Sequence, residues 1–369
     1  MTSRRVVAFG GGHGLSASLR ALRHCAPELD LDITAVVTVG DDGGSSGRLR
    51  AERGGLPPGD LRQALVALAG DHPATRRSAG LFQHRFAAVP AGVPQLGEAD
   101  PGPAVRDASD PGQGADGRDP GADRAAATGA HGQGPQAARV DGLAGHAVGN
   151  LVLCGLMELL GDPVAALDHA GAMLGAVGRV LPMSRQPVGI EAQVRGIDPA
   201  APDEVRTVRG QHQVAVTTGR VESLRLTPAA PPACAEVIEA IMAADWLIFG
   251  PGSWYTSVLP HLLVPQVADA IVSTSARRLV TLNLAAEKET LGLSVADHLA
   301  ALHWYLPELK VDLVLADAKA VGDPEPVERA AESLGARLVL APVAVTGGTP
   351  RHDPAALGAA LVPVLGADR

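Results

Sequence analysis

Cysteine is scarce: Cys25, Cys154 and Cys234 are the only three in 369 residues. An odd number at wide spacing fits neither a disulfide framework nor a zinc site, and it suits a reducing compartment. An excess of positive charge is also lacking. The formal charge of -9 argues against broad electrostatic affinity for nucleic acid or anionic membrane, while leaving room for a local basic patch that takes a phosphate. Long apolar runs are absent too. The stretch from Met1 to Phe9 is too short for the apolar region of a signal peptide, and no run approaches the roughly 20 residues that span a bilayer. These absences lead to the expectation of a soluble cytoplasmic protein with no nucleic-acid or membrane partner.

What is present is enough apolar sequence for a substantial core. With 46% hydrophobic residues, the chain can build one large α/β domain or two smaller ones. Arg4 to Phe9 and Ile33 to Val39 read as buried parallel strands. Asp60 to Ala69, Ser78 to Phe86 and Val148 to Leu160 read as helices, the last so apolar that burial is expected. Four short β-like runs, Gly178 to Leu181, Val188 to Val194, Gln213 to Thr217 and Ser223 to Leu226, suggest a small antiparallel subregion. From Ala235 onward, strands at Trp246 to Phe249, Arg278 to Leu282, Asp312 to Leu315 and Arg337 to Leu340 alternate with helices, the pattern of a parallel sheet. Between about Ala88 and Leu143 glycine, proline, alanine and acids replace aliphatic periodicity. Residues 89–141 are therefore expected to be a disordered insertion projecting from the fold.

Three strand exits carry the chemistry. Gly10-Gly11-Gly12-His13-Gly14 follows the first strand, and such a turn lets amides converge on an anion at a helix N-terminus. Its spacing is G-x-G-x-G, with Leu15 where the dinucleotide fingerprint has its last glycine, so a nicotinamide enzyme is disfavoured. Asp41-Asp42-Gly43-Gly44-Ser45-Ser46-Gly47 follows the second strand. Its two acids suit magnesium held beside substrate phosphates or, alternatively, an acidic turn closed by side-chain hydrogen bonds. Ser45 and Ser46 suit phosphate oxygens or a helix cap. The third exit, Gly250-Pro251-Gly252-Ser253-Trp254-Tyr255-Thr256-Ser257, adds a candidate anion or sugar site, with Tyr255 placed to pack on a base or sugar and Trp254 structural. Asp60 and Gln63 form a capping-box pattern. His146 and Asn150, four apart, share a helix face.

Taken together and in order, these segments resemble the YvcK/CofD family: Gly10 to Leu15, Thr38 to Arg48, Pro57 to Arg62, Leu143 to Asn150 and Gly250 to Ser257. Leu81 to Phe86, Gly178 to Pro182 and Leu262 to Pro265 bring the chain closer to the YvcK branch, the gluconeogenesis factors. The resemblance covers nearly everything outside the insertion. It implies a single domain over 1–369 with a Rossmann-like three-layer α/β fold. It also implies a cytoplasmic protein that binds a UDP-sugar such as UDP-N-acetylglucosamine and supports cell shape and growth on gluconeogenic carbon sources, with an unidentified regulatory protein partner and a homodimer as further expectations. The CofD branch implies the alternative, a 2-phospho-L-lactate transferase using magnesium and a nucleoside-diphosphate-linked donor. A dehydrogenase is a distant third, and neither NAD, haem nor zinc is expected.

By the same resemblance Gly11, Gly12 and Gly14 approach phosphate, Asp42 with Asp60 sits near metal or acceptor, and Asn150, Ser253 and Tyr255 line the nucleotide; Ser45, Ser46, Gly252 and Thr256 are further candidates for binding the nucleotide and its phosphates. Asp41 and Asp42 are the metal candidates, Asp60 is the catalytic residue of the transferase alternative, and His13, Arg62, His146 and Asn283 are further ligand contacts. His13 stands where many family members have threonine. Lys288 replaces the Pro-Gly that usually precedes Glu289-Thr290.

Overall fold

The computed structural model describes residues 3–88, 141–286, 288–290, 292–347 and 349–367. Met1–Arg85 with His146–Arg369 form one compact unit, described below, and Phe86–Gly145 form another. In the second unit, Gly145 N–H donates to Phe86 O at 2.8 Å. The insertion expected at 89–141 lies outside the described residues, apart from Asp141.

Among the described residues ten strands make two sheets: β1 (Arg4–Gly10), β2 (Leu31–Val37), β3 (Arg179–Pro182), β4 (Gly189–Arg195), β5 (Val205–Arg209), β6 (Arg220–Thr227), β7 (Trp246–Phe249), β8 (Arg277–Thr281), β9 (Leu313–Asp317) and β10 (Arg337–Ala341). The larger sheet has the order β10-β9-β8-β7-β1-β2-β3, and its pairings are parallel. Its central strands bury consecutive residues, Val6 to Phe9 in β1 and Trp246 to Phe249 in β7, because helices cover both faces. The strand order runs outward in opposite directions from the β1–β7 pair, so the crevice beyond their carboxyl ends is a topological switch point.

Two buried ring contacts lie beneath the crevice, the first of them across the β1–β7 pair. Phe9 and Phe249 stack with ring centroids 4.9 Å apart. His261 meets Phe9 edge-on at 5.4 Å, and burial pushes its pKa down to about 4. It is therefore neutral at neutral pH, and its Nε2 donates to Gly10 O at 3.4 Å.

The helices of the first half are α1 (Gly12–Cys25), α2 (Gly44–Arg53), α3 (Pro58–Leu68), α4 (Pro73–Gln83), α5 (Val148–Leu160), α6 (Pro163–Met173) and α7 (Gln211–Val216). Helix α4 starts earlier than Ser78 because His72 accepts from Ala74 N–H at its N-terminus and Pro73 suits the first helical position. The antiparallel subregion is the sheet β5-β4-β6. Gly178 to Leu181 does not join it: β3 pairs with β2 and extends the parallel sheet. Gln213 to Thr217 is not a strand but the helix α7, because Asp42 accepts from His212 N–H at 2.8 Å and fixes its first turn.

Helix α5 is less buried than its composition suggests. Gly149, Asn150 and Leu153 are its buried residues, whereas Leu159 is 78% exposed. It packs on α3, α4 and α6 rather than on the sheet, so one stripe is covered. No described helix is long and apolar enough to cross a membrane.

Candidate functional site

The first loop places α1 directly beyond β1. Gly12, at φ +53°, turns the chain so that the α1 N-terminus faces the crevice. Asp60, in the first turn of α3, reaches back to this turn and accepts from Gly12 N–H. A Cβ on Gly11 would lie 2.6 Å from both Asp60 Oδ2 and Thr38 Oγ1, so the close approach of Asp60 needs glycine there. Burial and, next, the charge of Asp41 push the Asp60 carboxyl up to about 7, against the opposing pull of Gly12 N–H and Arg62. Arg62 donates to the Phe82 carbonyl and to Gln83 Oε1. Its pKa is lowered to about 10, mainly by burial and then by Arg85, so it stays charged at neutral pH.

The third loop leaves β7 beside the first. Ser18 of α1 donates to Gly250 O at 2.7 Å. Gly252 exchanges two hydrogen bonds with the Asn283 amide, N–H to Oδ1 at 2.9 Å and Nδ2 to O at 2.8 Å. Glu289, 2% exposed, accepts from Tyr255 N–H at 3.0 Å and from Ser253 Oγ. Between the first and third loops lies a cleft of about 900 Å³. It is bordered by Gly11, Gly12, His13, Gly14, Asp60, Arg62, Gly252, Ser253, Thr256 and Asn283 among the anticipated residues.

The second loop is organised differently. Asp41 Oδ1 accepts from Gly43 N–H at 3.0 Å, closing the acidic turn. Its Oδ2 and Ser46 Oγ crowd Gly59, lying 2.8 Å and 2.2 Å from where a Cβ would sit. Asp42 turns away toward Gly210 and α7. Ser45 joins His146 and Asn150 in a buried cluster, with Asn150 Nδ2 donating to Ser45 Oγ at 2.9 Å and Ser45 Oγ 3.0 Å from His146 Nδ1. Burial, reinforced by Arg48, keeps the His146 pKa below its usual value. Ser45 Oγ and His146 Nδ1 share one hydrogen, and the ring's tautomer sets which of them donates it.

A family model described as "2-phospho-L-lactate transferase CofD" matches residues 6–339. The chain belongs to the YvcK/CofD family. It is 45% identical over 367 residues to the "Putative gluconeogenesis factor" of Mycobacterium tuberculosis (strain ATCC 25618 / H37Rv), covering 98% of this chain and 91% of that protein. It is 32% identical over 336 residues to the "Gluconeogenesis factor" of Bacillus subtilis (strain 168), covering 91% and 84% respectively. Among solved structures it resembles a UPF0052 family member from Bacillus halodurans, with a TM-score of 0.73 and 29% identity over 98% of this chain and 99% of the other.

Within this YvcK/CofD fold the anticipated residues divide into two groups. One borders the cleft as described. The other, Ser45, Ser46, His146 and Asn150, is buried, and Ser45, His146 and Asn150 engage one another. Tyr255 belongs to the core, 6% exposed, and Trp254 is fully buried against the His298 ring at 5.3 Å. Asp41 and Asp42 diverge, and among the described residues no group of three His, Cys, Asp or Glu side chains is arranged to hold a metal ion.

Sequence reading missed Arg20, Gln63, Gln83, Gln211, Arg351 and His352 along the same cleft. Helical spacing could have found one of them: His13, Ala17 and Arg20 fall at i, i+4 and i+7 on α1. Arg351 and His352 arrive from a distant loop with no local signal.

The Ser45 cluster gives a direct test. Ser45→Ala leaves a buried amide donor and a ring nitrogen without their shared partner, and is expected to cost about 1–3 kcal/mol of stability. An unchanged urea midpoint would show that the cluster contributes nothing.

Proposed function

We propose that this chain binds a nucleoside-diphosphate sugar, of the UDP-N-acetylglucosamine type, in the cleft at the carboxyl ends of β1 and β7, and that its cellular role, like that named for its gluconeogenesis-factor relatives, is carried by the bound state. The observation that supports this most is the cleft itself. Its volume of about 900 Å³ suits a ligand of that size. It opens at the switch point of a parallel sheet, with the α1 N-terminus and cationic Arg62 beside it, a setting that favours phosphate. Should magnesium accompany the diphosphate, Asp41 and Asp60, on facing sides of the second loop and α3, are the carboxylates suited to hold it.

One observation favours a second reading, CofD-like transfer. A carboxyl with a pKa of about 7 is matched to accepting a proton from an attacking hydroxyl at neutral pH. In that reaction Asp60 would take the acceptor's proton while backbone amides of the first loop stabilise the diphosphate leaving group.

Thermal unfolding with UDP-N-acetylglucosamine, GDP and NAD, each with and without magnesium, tests the proposal. At 100 times its dissociation constant, UDP-N-acetylglucosamine is expected to stabilise the protein by about 2.7 kcal/mol. A response to NAD alone would sink the reading.

A further inference from the structure

The hydrogen bonds of the third loop have a fixed sense. Tyr255 N–H can only donate, and it donates to Glu289 Oε1 at 3.0 Å, so that oxygen is an acceptor. Ser253 Oγ meets the same oxygen, which commits its single hydrogen to Glu289. Ser253 Oγ also bonds Thr256 Oγ1, and the hydrogen between these two oxygens must then belong to Thr256. Both hydroxyl hydrogens are turned into the loop. Both residues border the cleft, and what their oxygens offer it is lone pairs.

Part of the loop's backbone is committed in the same way. Pro251 has no N–H, Gly252 N–H is held by Asn283, Tyr255 N–H by Glu289, and Ser257 N–H by Ser253 O at 2.8 Å. A phosphate presents acceptors only, so it finds little to bind among these groups. Elsewhere the same cleft is bordered by Arg20 of α1 and Arg62 of α3, which have the complementary character.

We propose that the cleft is polarised: the ligand's anion lies toward α1, and Ser253 with Thr256 accepts hydrogen bonds from a neutral, donor-bearing part of the ligand. Glu289 is the positioning residue that sets this sense. The inference rests on the nucleotide-sugar reading above. A sugar hydroxyl and a base N–H share the required chemistry, and the choice of probes separates them.

The test is titration calorimetry of the wild type, Thr256→Val and Glu289→Gln with inorganic pyrophosphate, UDP and UDP-N-acetylglucosamine. Thr256→Val, nearly isosteric, removes the acceptor. It is expected to weaken UDP-N-acetylglucosamine by about tenfold or more while changing pyrophosphate by less than about twofold. A loss confined to the sugar nucleotide places the sugar at the third loop, and a matching loss for UDP places the base there.

Glu289→Gln keeps an oxygen for Tyr255 N–H and Ser253 Oγ to donate to, so it is the control, expected to bind all three probes within about twofold of wild type if it folds. Thr256→Val carries the test alone if it does not. For Thr256→Val, parallel losses for pyrophosphate and the sugar nucleotide, or no loss for either, overturn the proposal. So does a wild type that takes the sugar nucleotide but not pyrophosphate. A wild type that binds none of the three overturns the functional reading instead, before any variant is compared.

Discussion

Gly14→Ala is expected to lower stability by about 3 kcal/mol or more and to remove ligand binding with it. A Cβ at this position would lie 2.3 Å from Pro251 O and 2.4 Å from Gly252 Cα. These are backbone atoms of the neighbouring strand exit, and no rotamer change can move them aside. The first and third loops would have to separate, and their separation opens the cleft they enclose.

The contrast is Gly80, an exposed glycine inside α4 with nothing within 4 Å of its Cβ direction. There alanine is expected to stabilise by about 1 kcal/mol through helix propensity and a less disordered unfolded chain. Urea unfolding of both variants checks the pair, and equal effects at the two positions would refute the loop-on-loop argument. Gly14 thus has a packing reason to be glycine that is separate from any contact with phosphate.

That distinction marks how far the sequence could be read. The parallel strands were legible because a strand covered on both faces is a continuous apolar run, as in Val6 to Phe9 and Trp246 to Phe249. The first and third loops were legible because glycine clusters at strand ends have few other uses. Contacts made across long sequence distances were not legible. Val214 and Val216 look like strand residues, and α7 forms because a carboxylate 170 positions earlier accepts at its first turn. Strand β5 escaped notice because its residues are exposed or half-buried and carry no apolar alternation. Glu289 was visible only as part of a family segment, and its role in fixing Ser253 and Tyr255 comes from tertiary packing. The two acids of the second loop show the same limit, since adjacent in sequence they face different partners.

Asp60→Asn is expected to change the pH dependence of stability more than any other single replacement in the cleft. The wild-type carboxyl is held at about 7 against the model-peptide value of 3.8. Below pH 4 both folded and unfolded chains carry the proton, and burial exacts no ionic penalty. Between pH 4 and 7 the unfolded chain gives up its proton while the folded chain keeps it, so this group makes stability fall as pH rises. The slope approaches about 1.4 kcal/mol per pH unit and the accumulated loss is roughly 4 kcal/mol by pH 8. Asparagine cannot ionise and removes that slope, so the variant gains on the wild type steadily across this window and is the more stable of the two above pH 7. Denaturant unfolding at pH 4.5, 6, 7 and 8 measures the difference directly, and parallel stability curves would show that Asp60 is not buried against Asp41 as described. A carboxyl kept at this cost beside Gly12 is difficult to explain as a helix cap, because the capping role is equally open to the uncharged amide. An ionisable group at this position is the strongest reason to seek proton transfer at the cleft, or a cation shared with Asp41 beside it.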